Sequence, residues 1–374
     1  MKAVTVRTVV SSRDLMQFIK FQWKPYRGDP NFVAPLIMDR KKLLNRKSNP
    51  FYKHSEMELF LAERDGEILG RIAAIVNHNH IKEHNEKVGF FGFFECMNDR
   101  DLANALFDAA TGWLASRGME AVRGPANPSV NDEYGLLIDG FDRPPVVMMA
   151  YNPPYYTVLL EGYGFRKIKD LYAYYLQKDK VFPEKMVRVS EAVMKRTGLV
   201  IRPMDFTRFE EEVRTMQRLY ALGWSRNWGE VPMTDDEIAS FTGDLKQVVD
   251  KRLVLIAEVK GKPVGFSLSL PDLNIILRKN RRGWLLPAAL RLMLFKRRID
   301  FCRILTLGVL PKYLSTGIGG VLLYETARHG IAAGYSQGEA SWILEDNTMM
   351  NRAAELVGAD RYKTYRIYQM PLPR

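Results

Sequence analysis

Cysteine and histidine are scarce in this chain: two cysteines and five histidines among 374 residues. Cys96 and Cys302 each sit in an apolar, strand-like run without metal-ligand spacing, so a disulfide framework and a zinc module are excluded and a reduced, cytoplasmic setting is expected. Histidines gather only at His78-Asn79-His80 with His84, a group expected to be a solvated polar loop, and no metal site is expected. A membrane-spanning run is lacking too, since the apolar centre of the basic insert, Trp284 to Phe295, would cover about 18 Å as a helix. The opening residues Met1 to Val10 alternate like a strand, so neither a signal peptide nor a transit segment is expected there. The lysine-bearing phosphate loop and the dinucleotide GxGxxG after a strand are both missing, which disfavours nucleotide triphosphate and dinucleotide folds.

What the chain has is a hydrophobic fraction of 47%, a net charge of +12, and a length that divides into two units of ordinary size. The segment Ile304 to Gly334 carries the most chemistry. An apolar strand, Ile304 to Val309, is stopped by Pro311; a turn with Gly317, Gly319 and Gly320 follows; then Leu322, Leu323, Thr326, Ala327 and Ile331 recur at helical spacing. The turn therefore lies at a helix N-terminus, where free N–H groups and the helix dipole favour an anion such as phosphate.

A second apolar run, Gly338 to Leu344, is followed by Glu345-Asp346-Asn347, a short helical pattern ending at Gly358-Ala359, and a strand-rich segment from Tyr362 to Met370. The same grammar occurs earlier. Leu61-Ala62-Glu63-x-x-Gly66-x-x-x-Gly70 returns as Ile256-Ala257-Glu258-x-x-Gly261-x-x-x-Gly265, 195 residues on, and Asn152 returns as Asn347. Gly164-Phe165 corresponds to Gly358-Ala359, and Tyr174 and Tyr368 fall in the closing strands. Such a repeat implies two related domains, 1–180 and 181–374. Hairpins closed at Asp65-Gly66 and Lys260-Gly261, each ahead of a strand-helix-strand unit, predict a mixed α/β fold: twisted, mostly antiparallel sheets flanked by helices.

The strand, the Val309-x-Pro311 step and the Gly317-x-Gly319 turn resemble the donor motif of the GCN5-related N-acetyltransferase (GNAT) superfamily. The second run with Asn347 and the closing hairpin resembles the rest of its carboxyl half. The resemblance implies tandem GNAT-like domains. It also implies acyl-CoA or acetyl-CoA as the donor, with Gly308, Val309 and Leu310 along the pantetheine arm and Leu314, Ser315, Thr316, Gly317, Ile318, Gly319 and Gly320 at the pyrophosphate. Asn347 matches the asparagine that contacts the arm. Leu314 stands where the family has Arg or Gln, Met350 replaces a small residue, and Ala354 replaces a tyrosine that often acts as general acid. The first half reads Glu95-Cys96-Met97-Asn98-Asp99 where the glycine turn would be, so it is expected to lack a pyrophosphate site.

Amide formation requires the attacking amine to be deprotonated. Glu345, at the end of the second run, and Glu339, six residues before it, are the candidate bases, and even spacing puts both on one face of a regular strand. N–H groups near Val309 and Leu310 are candidates for polarising the thioester carbonyl. Trp224, Asn227 and Trp228, between the first two helices of the second half, fall where the resemblance places the acceptor. The proline-rich segment 124–156 carries Asn127, Asn131, Asp132 and Glu133, which are expected to help shape that pocket.

An insert at 272–300 contains Arg278 to Arg298: eight basic residues, no acidic ones and an apolar centre with Trp284. This is the pattern of an interfacial helix on anionic lipid, which points to a protein peripheral on the inner face of the membrane. It favours a lipid-like amine. Bacterial ceramide synthases, which N-acylate a sphingoid base with a fatty acyl-CoA, are the lipid enzymes of GNAT-like character that this combination resembles. The alternatives are a small-molecule acetyltransferase, an aminoacyl-tRNA-dependent transferase and a non-catalytic acyl-CoA-binding or lipid-binding protein. No zinc-finger spacing, RNP-like motif or basic region joined to heptads is present, which disfavours nucleic acid as a partner.

Overall fold

A computed structural model describes residues 3–224 and 227–373. Its strands are β1 (Thr5–Thr8), β2 (Ser55–Arg64), β3 (Glu67–Asn77), β4 (Val88–Cys96), β5 (Ala121–Gly124), β6 (Ala126–Asn127), β7 (Glu133–Tyr134), β8 (Leu136–Asp139), β9 (Arg166–Gln177), β10 (Leu199–Pro203), β11 (Val254–Val259), β12 (Lys262–Pro271), β13 (Phe301–Val309), β14 (Gln337–Leu344) and β15 (Asp360–Pro371). The helices are α1 (Ser12–Phe21), α2 (Ile37–Leu43), α3 (His78–His84), α4 (Arg100–Ala115), α5 (Tyr156–Tyr163), α6 (Glu184–Thr197), α7 (Phe209–Trp224), α8 (Asp235–Val248), α9 (Asn274–Leu277), α10 (Leu285–Phe295), α11 (Ile318–Ala332) and α12 (Thr348–Val357).

Local chemistry sets many of these boundaries. Ser11 and Asp14 form a reciprocal capping box that starts α1, and Thr234 and Glu237 do the same for α8, each worth about 1 kcal/mol. The hairpins β2–β3 and β11–β12 close through left-handed residue pairs, Asp65-Gly66 and Lys260-Gly261, as a two-residue turn matched to strand twist requires. Both hairpins shift register at equivalent places, between Ala62 and Glu63 and between Ala257 and Glu258. The repeat seen in the sequence is thus a repeat of backbone geometry.

The two halves do not close separate sheets. One sheet runs β1-β2-β3-β4-β5-β15-β9-β14-β13-β12-β11-β10, with β8 also on β15. The final strand of the chain, β15, lies against β5 of the first half, while β9 lies against β14 of the second. Each half is therefore completed by the other's closing strand, and β9 pairs with β15 at the seam. Helix α4 covers the first half on one face with Leu102, Leu106, Phe107 and Leu114, while Phe18 and Ile19 of α1 pack on the other. In the second half α11 and α12 cover one face and α7 and α8 the other.

The histidine group departs from expectation. Residues 78–84 form α3, capped by Asn77, and His80 is buried. Desolvation, aided by His84 and Arg123, holds its pKa down at about 3. Both cysteines are buried and unpaired, and burial pushes both thiols up. Among the described residues there is no cluster of three or more His, Cys, Asp or Glu able to hold a metal, and no helix long and apolar enough to cross a membrane.

Candidate active site at the split between two strands

Strand β13 pairs with β14 in parallel only from Phe301–Gln337 to Ile304–Ala340. Beyond that, β13 continues along β12 while β14 continues along β9, so the two diverge. The Leu310 N–H donates to Val264 O at 2.8 Å, which ties it into the sheet. This corrects its expected part as an oxyanion donor. Alternation along an antiparallel strand turns the backbone groups of Leu307 and Val309 the other way, toward the split, and leaves the Val309 N–H as the donor facing it.

At the open end a short, tight helical segment, Pro311–Thr316, leads into Gly317, whose φ of 88° is left-handed, and then into α11. No side chain caps α11. The Ile318 N–H reaches only the Thr316 hydroxyl, at 3.4 Å, so Ile318, Gly319 and Gly320 present first-turn N–H groups to an incoming anion. Leu314 and Ser315 are exposed on the turn. Leu314 brings no charge to the turn, but Arg196 of α6 reaches it, donating to Thr316 O at 2.7 Å. No local motif marks Arg196, because it enters from another helix.

Asn347 caps α12, its side chain accepting from the Met350 N–H at 3.2 Å. Its counterpart in the repeat, Asn152, is buried and exchanges hydrogen bonds with both backbone groups of Leu137.

The two candidate bases do not share a face. Between Ala340 and Ile343 β14 bulges against β9, which breaks the even count. Glu345 lies past the strand end, ion-paired to Lys167 at 2.6 Å and accepting from the Asp170 N–H. Glu339 is fully buried on the face opposite α11, where it accepts from Tyr362 and Ser341 beside Arg303. Arg303 donates onward to the carbonyls of Val147 and Met148, and Lys363 to those of Arg143 and Pro144. Burial holds Lys363 down at about 8. This buried network ties the proline-rich segment of the first half under the split.

On the same face Trp224 lies over Gly308, where a Cβ would come 2.2 Å from its ring. Tyr220 stacks on Trp224 with ring centres 4.9 Å apart, and its hydroxyl reaches Asn131 and Glu230, each at 3.3 Å. Asn131 also donates to Val231 O at 3.0 Å, so segment 124–156 does meet the second half beside the split. The two tryptophans meet different neighbours. Helix α7 ends at Trp224; Asn227 turns the chain, donating to Trp224 O, and Trp228 packs instead against Arg123 and Lys169.

Asp132 accepts from Ser129 at 2.7 Å, and burial pushes it up to about 7. Glu230 is likewise pushed up to about 7, chiefly by burial and further by the charge of Glu83.

The remaining two predicted acceptor residues act inside the first half. There β4 and β5 also diverge, after Phe90–Arg123, but β6 enters the gap. Asn127 Oδ1 accepts the Phe93 N–H at 2.5 Å, and Gly92 leaves room for the Ala126 carbonyl, which a Cβ would strike at 1.7 Å. Glu133 pairs with Arg40 and accepts from Asn127. Together with Arg71 and Glu95 these groups line an internal recess of about 470 Å³, including its mouth, in which burial pushes Glu95 up to about 7.

A sheet repeated twice, with its first split filled and its second left open beside an uncapped helix, is the tandem GNAT architecture. The tandem GNAT protein from the clavulanic acid biosynthesis pathway matches 99% of this chain with 99% of its own, at a TM-score of 0.58 and 10% identity. No protein-family model matches. Over 99% of its length the chain is 35% identical to the bacterial ceramide synthase of Caulobacter vibrioides, covering 98% of that protein. It is also 35% identical to protein YghO of Escherichia coli, over 97% of this chain and 94% of that one. The chain belongs to the bacterial ceramide synthase family, and it is an N-acyltransferase.

Proposed function

We propose that this enzyme moves a fatty acyl group from a CoA thioester to the amine of a lipid-like acceptor such as a sphingoid base. The observation that carries the proposal is the split between β13 and β14, left open below the uncapped start of α11. In this reading residues 181–374 hold the donor and residues 1–180 contribute one wall of the acceptor chamber. The pantetheine arm runs along Gly308 to Leu310 toward Asn347, the Val309 N–H meets the thioester carbonyl, and Gly317 to Gly320 with Arg196 meet the pyrophosphate. Trp224 and Asn131 border the acceptor.

Two features support a lipid acceptor. The Caulobacter vibrioides relative is named a ceramide synthase. The insert presents an apolar face to solvent: Leu286 is 82% exposed, Met293 82% and Leu294 64%, with Trp284 beside them. Basic residues flank that face and no acidic residue interrupts it, so an anionic membrane surface is its partner, on the cytoplasmic side.

Calorimetric titration with palmitoyl-CoA and acetyl-CoA tests the donor. Tighter binding of palmitoyl-CoA is expected. Binding of acetyl-CoA alone would move the reading to a small-molecule acetyltransferase, and binding of neither would overturn CoA dependence.

A further inference from the structure

The two halves put different chemistry on the floor of their splits. In the first, Gly70 pairs with Cys96 and Arg71 with Glu95; at the same register in the second, Gly265 pairs with Val309 and Phe266 with Gly308. A charged pair, Arg71 and Glu95, therefore stands where the second half has an apolar one, and the two residues are only 2% and 5% exposed. Burying such a pair is unfavourable unless its remaining polar atoms also find partners.

Beside this floor lies the internal recess of about 470 Å³, including its mouth, walled by Gln22 and Tyr26 after α1, Arg40 of α2 and Asn127 of β6. Several of its polar atoms are satisfied. Arg71 Nη1 donates to Phe18 O at 2.7 Å, Arg71 Nη2 lies 3.6 Å from Glu95, Tyr156 donates to Glu95 at 2.7 Å, and Arg40 pairs with Glu133. Three atoms on its lining residues are not. The Arg71 Nε–H, the Arg40 Nε–H and the Gln22 side-chain carbonyl are shut away from solvent without a hydrogen-bond partner among the described residues. Polar groups buried in this way are uncommon and costly, so two donors and one acceptor around a single recess describe what would fill it.

Charge narrows the choice. Above about pH 7, where Glu95 is ionised, two guanidinium groups meet two carboxylates, and the lining has no net charge to favour an anion or a cation. The helix after β4 offers no anion site either, because Asp99 caps α4 and accepts from the Leu102 N–H at 3.1 Å, whereas α11 is uncapped. A hydroxyl group fits: its oxygen accepts from one guanidinium N–H while its proton goes to the Gln22 carbonyl. A neighbouring hydroxyl or amide oxygen takes the second N–H.

We infer that the first-half recess is a binding site for a charge-neutral head group that carries a hydroxyl beside a second hydroxyl or an amide carbonyl, held by Arg71, Arg40 and Gln22. It is a second site, separate from the open split between β13 and β14, and it stands independently of the transfer proposed above.

Saturation-transfer NMR on the full-length protein at about pH 8, where Glu95 is ionised, tests this with small hydroxyl-bearing probes that differ in charge: N-acetylethanolamine, ethanolamine and glycolate. The neutral probe is expected to bind, and the two charged probes to bind about 10-fold more weakly or not at all. Gln22→Met removes the acceptor at nearly constant shape and is expected to weaken the neutral probe about 5-fold. Arg40→Lys keeps a charge against Glu133 but removes the Nε–H, and a loss of about the same size is expected. The thermal midpoint of each variant checks that it is folded. Tighter binding of either charged probe, or binding of none, would overturn the inference, as would a neutral probe whose affinity both folded variants leave unchanged.

Discussion

In the first half, β4 and β5 run together for three residue pairs before β6, a segment of the same half, enters between them; in the second, β13 and β14 part after four pairs and the gap stays free. The sheets are otherwise alike, down to the register shift in each leading hairpin. What separates them is what satisfies the backbone at the split. Asn127 takes the Phe93 N–H in the first half, so that backbone donor is already satisfied. In the second half the α11 first turn keeps its donors. The crossover loops differ too: β3 and β4 are joined by the short α3, whereas β12 and β13 enclose the basic, apolar insert. In the function proposed above, one half is support and the other carries the chemistry.

Three changes would break or sharpen this contrast. The largest effect is expected from Gly308→Val, because its Cβ would enter the Trp224 ring. Overpacking of about 3 kcal/mol is expected, visible as a lowered denaturation midpoint together with loss of turnover. If Gly308→Val turns over normally, Trp224 does not border the reacting centre.

Asn127→Ala in the plugged half should cost about 1–2 kcal/mol by leaving the Phe93 N–H without its acceptor. Palmitoyl-CoA affinity should not move. A weakened affinity would mean that the first split also serves the donor.

The smallest change in stability, within about 0.5 kcal/mol, is expected for Leu286→Glu with Met293→Glu, both largely exposed. The same pair should abolish co-sedimentation with phosphatidylglycerol vesicles, and rising salt should weaken the wild type's association. Unchanged vesicle binding would remove the insert from the membrane contact.

Much of the architecture was legible in the residues. Asp65-Gly66 and Lys260-Gly261 announced their hairpins, and Gly317 with Gly319 and Gly320 the turn into α11. These are short-range facts, fixed by φ preference and by hydrogen bonds within a few residues. Apart from the histidine group, the misplaced expectations involved distant partners. Counting residues put Glu339 and Glu345 on one face, but the bulge against β9 separates them. Trp228, read as an acceptor residue with Trp224, lies instead against Arg123 and Lys169 of the first half. Arg196 and Tyr220 carried no motif because their importance comes from what they reach: Thr316, 120 residues away, and Asn131, 89 residues away.

The sequence alone therefore determined the repeat, the hairpins, the helix starts, the glycine turn and the basic insert, since each depends on neighbours along the chain. Only the tertiary structure decided that β9 and β15 change places and that Asn127 fills one split while the other stays open. Those outcomes follow from which buried backbone and side-chain groups find partners across the fold, and periodicity along the chain does not encode that choice.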